Sequence, residues 1–151
     1  MKNPFRILKY IVKARRPSRV VRMETVFDGF WLRKNYEALT FFGYIVCRTK
    51  EAAGRMDAVT RNHETIHLRQ AQSCHNSWLC FYLLYIWYYL RALPLNRHLR
   101  NAAYLLNPFE MEAYNHQHDL SYLDDKSGGT DGWRHYARLS PRQRLALYTA
   151  E

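Results

Sequence analysis

Apolar positions Phe5, Ile7, Leu8, Ile11 and Val12 recur at a helical period with Arg6 and Lys9 between them, which predicts an amphipathic helix at the start of the chain. Between Val20 and Thr49 the pattern becomes strand-like. V-V-R-M-E-T-V-F, a turn at Asp28-Gly29, the β-rich F-W-L and then L-T-F-F-G-Y-I-V-C-R predict a small antiparallel sheet. From Met56 onward helical signals dominate. Asp57 is placed to cap a helix carrying Val59, His63, Ile66 and His67, and an aromatic run over 78–93 follows, stopped by Pro94. A shorter helical piece covers about 97–105. N-P-F-E-M-E-A-Y then opens a helix with Asn107 as cap, Pro108 in its first turn and carboxylates behind it, and Ser140-Pro141 opens the last helix in the same way. Sheet first and helices second predicts an α+β domain: a small N-terminal sheet followed by a helical part.

The chain has 151 residues, which fits one domain spanning 1–151, with a basic segment over residues 1–19 as a peripheral helix, packed on the body through its apolar positions or lying at a membrane surface. D-D-K-S-G-G-T-D-G at 124–132 reads as a surface loop and not a domain boundary, because too little chain follows it to fold alone. Cys47, Cys74 and Cys80 form no paired framework, so a reducing, cytoplasmic compartment is expected, with these as small buried hydrophobes. Arg6 and Lys9 interrupt the N-terminal apolar stretch, so no signal-peptide processing is expected.

A net charge of +10 points to a solvated basic face or to an anionic partner, membrane lipid or nucleic acid, with the Lys and Arg residues crowded at the two ends. No nucleic-acid-binding motif accompanies the charge, which makes nucleic acid the weakest of these. The uncharged W-L-C-F-Y-L-L-Y-I-W-Y-Y-L at 78–90 is too short to span a bilayer as a helix, about 20 Å against roughly 30 Å. It is expected to be a core helix covered by neighbours, while its Tyr and Trp content also suits headgroup depth.

The chemistry centres on N-H-E-T-I-H-L-R-Q at 62–70. Histidines four apart on a helix share a face, so His63 and His67 can reach one Zn²⁺, and Glu64, set to one side, can act as a general base without ligating. In a chain of this composition such a motif arises by chance roughly once in seventy sequences, so context has to support it. A strand precedes the helix, as zincins require of the edge strand that pairs with an extended substrate. A third ligand is absent from the same helix: Gln70 and Ser73 stand where the long metzincin form has Gly and His, and Cys74 lies about 10 Å along the axis from His67. It has to come from another helix. N-P-F-E-M-E-A-Y-N-H-Q-H provides two alternatives there, with Glu110, Ala113, Tyr114 and Gln117 on one face and Glu112 and His116 on another.

N-H-E-x-x-H-x-x-Q paired with P-F-E-x-E-A-Y resembles the gluzincin-type H-E-x-x-H zinc metallopeptidases, in particular small bacterial proteins of about this length. The likeness covers about residues 40–118, and its specific part is under fifteen residues. In that family a second helix supplies a glutamate ligand in an E-x-x-x-D or E-x-x-A-D pattern. The resemblance implies one Zn²⁺ held by His63, His67 and Glu110, with Glu64 as base and acid toward a zinc-bound water, and Ala113 as the small residue that lets the helices approach. Tyr114 stands where the family keeps an aspartate that orients a ligand histidine, and its hydroxyl is the candidate substitute. Glu112 and His116 remain the alternative ligands. For the oxyanion role His116, His118, Tyr114, Tyr122 and His135 are all available and no spacing selects one.

Two functions of different class follow. One is a zinc-dependent peptidase acting on peptide or protein substrates. The other is a non-catalytic metal-binding protein that associates with a membrane surface or a protein partner through its basic, aromatic-rich surface, the N-terminal helix included. The sequence leaves oligomeric state open.

Overall fold

In the computed structural model, residues 5–29, 31–32, 36 and 38–150 are described; Lys2 of the basic N-terminus and Phe30 of the expected F-W-L strand fall outside them. The domain is α+β, with a three-stranded sheet near the N-terminus followed by mostly helical chain. Helix α1 spans Phe5–Lys13, and strands β1, β2 and β3 are Glu24–Val26, Ala38–Phe41 and Tyr44–Cys47. Helices α2 (Lys50–Gly54), α3 (Ala58–Ser73), α4 (Trp78–Ala92), α5 (Ala102–Leu105), α6 (Pro108–His116), α7 (Gly132–Ala137) and α8 (Pro141–Ala150) complete the chain.

The sheet order is β1-β3-β2, and only the β2–β3 pair is antiparallel; β1 runs parallel to β3. The single strand expected over L-T-F-F-G-Y-I-V-C-R is in fact the β2–β3 hairpin. Its turn residues Phe42 and Gly43 both have positive φ, 49° and 89°, which is the two-residue turn that matches strand twist. Phenylalanine where asparagine or glycine is usual hid that turn. Beneath the sheet, Ile45, Leu68, Ala71, Phe81, Phe109 and Trp133 form the core that brings α3, α4, α6 and α7 together.

Helix α3 starts where Asp57 accepts a hydrogen bond from the Thr60 amide, and it ends at left-handed His75 and Asn76. Asn107 caps α6 by accepting from the Phe109 amide, while its own amide donates to the Tyr85 carbonyl on α4. One side chain thus starts one helix and ties it to another. At α8, Ser140 and Gln143 exchange backbone-to-side-chain hydrogen bonds, a reciprocal cap.

Three expectations change. The glycine-rich stretch at 124–132 is not merely a surface loop, because Thr130 is buried and the Gly129 backbone, at φ 117°, lies so close to α3 that a Cβ would come 2.8 Å from the Arg69 carbonyl. Helix α4 is not covered all round: Leu79, Leu83, Ile86, Trp87 and Leu90 are each more than half exposed. Helix α1 packs through Tyr10, whose hydroxyl donates to buried Asp28, while Arg6 and Lys9 pair with the same carboxylate. Its apolar Leu8, Ile11 and Val12 face outward instead.

Candidate metal centre

His63 and His67 rise from adjacent turns of α3 toward Glu110 in the first turn of α6, and all three side chains are buried. Their donor atoms lie within 4.8 Å of one another, and among the described residues no other such group of His, Cys or carboxylate donors occurs. The two Nε2 atoms are 3.2 Å apart; Glu110 Oε2 is 3.4 Å from His63 Nε2 and Oε1 is 3.5 Å from His67 Nε2. Donors bound tetrahedrally at 2.0–2.1 Å stand about 3.3–3.4 Å apart, so the triangle has the size a Zn²⁺ ion needs.

The surroundings decide which atoms point inward. Gln70 Nε2 donates to the Phe109 carbonyl and to Glu112 Oε2, both 2.9 Å away and both acceptors only. Its Oε1 is therefore turned to His67 Nδ1, at 2.8 Å, and that nitrogen must carry the hydrogen. The lone pair of His67 is left on Nε2, inside the triangle. His63 Nδ1 meets Gln117 Oε1 at 3.2 Å, and donating there would leave its lone pair on Nε2 as well. With both lone pairs directed at one point 3.2 Å across, the pair repels unless a proton or a cation sits between them.

Glu110 completes the picture. Oε1 accepts from the Tyr85 hydroxyl at 2.7 Å, whereas Oε2 is buried with no hydrogen-bond partner. An orphaned carboxylate oxygen is costly, and it faces the histidine nitrogens. Burial would raise the Glu110 carboxyl, but the His67 and His63 charges and the Tyr85 hydrogen bond outweigh it and hold the pKa below the usual carboxylate value. Burial would likewise lower His63, yet the Glu110 carboxylate 3.4 Å away, with the Glu64 charge behind it, holds it above the ordinary histidine value. Burial, and after it the Glu110 charge, pushes the Tyr85 phenol well up, so it stays a donor.

Glu112 is engaged elsewhere. Its Oε2 accepts from Gln70 and from the Trp133 amide, and its Oε1 from the Tyr122 and Thr130 hydroxyls. Gly132 is needed beside it, since a Cβ there would lie 2.5 Å from Oε1. His116 stacks on Tyr122 with ring centroids 3.8 Å apart, and it too lies outside the triangle. Tyr114 lies against His63 edge to face, centroids 4.8 Å apart, and its hydroxyl pairs with that of Tyr104. No hydrogen bond joins Tyr114 to either histidine; Gln70 and Gln117 occupy both Nδ1 positions.

Glu64 sits beside the triangle, its Oε2 accepting from Thr40 Oγ1 of the edge strand β2 at 2.5 Å. Thr40 is fixed in turn by α4, where the Tyr82 hydroxyl donates to its carbonyl. His63 and Glu64 form the floor of a cleft of about 470 Å³ walled by Ala38 of β2 and by Tyr36, Tyr104, Tyr114 and Gln117. A deeper cavity of about 110 Å³ reaches His67 and Glu110 from the same side. Of the five residues considered for an oxyanion, Tyr114 alone lines the cleft; Tyr122 serves Glu112, His118 is exposed beside Gln117, and His135 packs edge-on against Tyr136.

Asn62, next to His63, donates to the carbonyls of His116, Gln117 and Asp119 and so closes the C-terminal end of α6. Three residues of N-H-E-T-I-H-L-R-Q besides the motif itself are thereby built into the centre: Asn62, Gln70 and, through Thr130 bonding to its carbonyl, Arg69. Gln70 had a readable signal, three positions after His67 on the same face. Thr40 and Tyr85 had none. No family model, no curated protein and no solved structure matches this chain, so the functional reading rests on this geometry and on the motif resemblance.

Proposed function

We propose that the protein is a zinc-dependent peptidase with His63, His67 and Glu110 as the ligands and Glu64 as the general base. The supporting observation is the unpartnered Oε2 of Glu110 converging with two histidine lone pairs beside a carboxylate that borders a cleft. Three protein donors are one short of a closed structural tetrahedron, which favours a catalytic centre over a purely structural one.

When bound, Zn²⁺ supplies Lewis acidity, lowering the pKa of water and polarising a carbonyl. The chain's own residues do the rest. Gln70 and Gln117 hold the two imidazoles in one tautomer, Tyr85 steadies Glu110, and Thr40 holds Glu64 against the edge strand. From that position Glu64 takes a proton from the attacking water and delivers it to the departing amine. The cleft along Ala38 gives an extended substrate a place beside β2.

Replacing Glu64 by Gln should leave bound zinc unchanged and lower peptide hydrolysis by at least about 100-fold. Elemental analysis and turnover of a peptide library, run on parent and variant, test this. Hydrolysis by Glu64→Gln at the parent's rate would refute the mechanism.

A further inference from the structure

We propose that the outer face of α4, with the C-terminal turn of α1, docks on an anionic membrane surface. Leu79, Leu83, Ile86 and Leu90 repeat at intervals of four, three and four, so they form one stripe along the helix, with Trp87 beside it. All five are more than half exposed, and no charge interrupts them. A contiguous exposed stripe of this kind marks an interaction site.

Charge identifies the occupant. Residues 65–109 contain four Arg and no Asp or Glu, and residues 1–23 contain eight Lys or Arg and no Asp or Glu. The stripe therefore has cationic rims at both ends. At its start, Trp78 Nε1 donates to the Arg15 carbonyl, and Arg15 and Arg16 share a shallow groove with Ile11 and Trp78. At its far end are exposed Arg91, Arg97 and Arg100, with the Arg91 guanidinium 5.9 Å from the Trp87 ring centre. A second copy of the chain would bring cationic rims against cationic rims whether the helices ran parallel or antiparallel. Anionic headgroups around an apolar layer match both parts of the surface.

Among the described residues no helix is long and apolar enough to cross a membrane, and α4, at 15 residues, reaches only about 22 Å. It would lie in the interface with its stripe among the acyl chains. Phe81 and Tyr85 on the far side of α4, and Tyr82 on its flank, hold His67, Glu110 and Thr40 respectively. Combined with the peptidase reading, docking would put the cleft about one helix diameter, roughly 10 Å, from the lipid, where membrane-proximal peptide segments are the accessible substrates.

Flotation of the full chain with vesicles of phosphatidylcholine, alone or mixed with phosphatidylserine, tests the docking. The parent should float with the mixed vesicles, much less with phosphatidylcholine alone, and should be released by salt. Leu83→Asp with Leu90→Asp should weaken binding on the order of 100-fold while zinc content and circular dichroism stay unchanged. Arg97→Glu with Arg100→Glu, both at exposed positions, should weaken binding to the mixed vesicles by about fivefold or more per residue, which keeps the test valid if the leucine variant does not fold. Glu64→Gln should float like the parent, so that loss of docking and loss of hydrolysis are separable. Failure of the parent to float with mixed vesicles, or undiminished binding by the arginine variant, would overturn the proposal. So would a lipid-free dimer that the leucine variant dissociates, since the stripe would then belong to a second copy.

Discussion

Glu110 and Glu112 stand two residues apart on one helix, both buried, and their environments are opposite. Glu112 accepts four hydrogen bonds, from Gln70, the Trp133 amide, Tyr122 and Thr130, so neither of its oxygens lacks a donor. Glu110 has one donor, Tyr85, and one oxygen with none. Burial alone therefore does not separate a carboxylate whose hydrogen bonding is complete from one left open to a ligand. What separates them is whether the fold completes the hydrogen bonding or leaves a gap with the right chemistry around it.

The same isosteric change at the two positions should have reversed effects. Glu110→Gln keeps shape and keeps an acceptor for Tyr85 but removes the anionic ligand, so zinc affinity should fall at least about 100-fold with little change in the stability of the metal-free protein. Glu112→Gln puts an NH₂ group among four donors. That loses hydrogen bonds and opposes donor to donor, at a cost of at least about 3 kcal/mol. Thermal melting of the metal-free proteins should then show Glu112→Gln lower by roughly 6–12 °C and Glu110→Gln close to the parent. Zinc lost from Glu112→Gln and kept by Glu110→Gln, with both folded, would reverse the assignment.

Gln70 links the two environments, because its amide is held by Glu112 and its carbonyl holds His67. This makes it a positioning residue that acts through His67. Gln70→Leu should reduce zinc affinity by about 10–100-fold, the usual effect of removing a partner of a ligand histidine, and should also destabilise the fold by leaving Glu112 one donor short. Gln70→Glu is the sharper variant. It can still accept from His67 but opposes the Glu112 carboxylate, so its melting temperature should fall further than that of Gln70→Leu. Zinc affinity unchanged in Gln70→Leu would show that His67 needs no such partner.

The element order, the caps at Asp57, Asn107 and Ser140, and the His63/His67 pair could all be read from local spacing, because helix periodicity and capping are properties of a few adjacent residues, whereas Glu110 stood out from Glu112 and His116 only through the gluzincin resemblance. The rest depended on contacts between distant residues. Thr130 comes from a glycine-rich stretch that looked like a linker, yet it reaches Glu112 because Gly129 lets the chain press onto α3. The parallel β1–β3 pair and the hairpin turn at Phe42-Gly43 were equally invisible, since strand order is set by tertiary packing and the turn lacked its usual residues. The exposed stripe on α4 went unread for a different reason. An uncharged run signals burial of some kind, and composition alone does not distinguish burial in protein from burial in lipid.

Tyr114 gives the smallest expected effect and the most direct test of the orienting groups. It occupies the position of an orienting aspartate in the gluzincin pattern, yet its hydroxyl bonds Tyr104 and only its ring edge meets His63. The orienting is done one turn away, at Gln117 for His63, and on α3 itself, at Gln70 for His67. Tyr114→Phe keeps the ring and removes the hydroxyl, so zinc affinity should change by less than about threefold, well under the 10–100-fold expected of a true orienting partner. Isothermal titration with zinc against a competing chelator can resolve that difference. A drop of tenfold or more would mean that the hydroxyl reaches a histidine nitrogen once the metal is bound, and the comparison between the two glutamine partners and Tyr114 would have to be redrawn around the tyrosine.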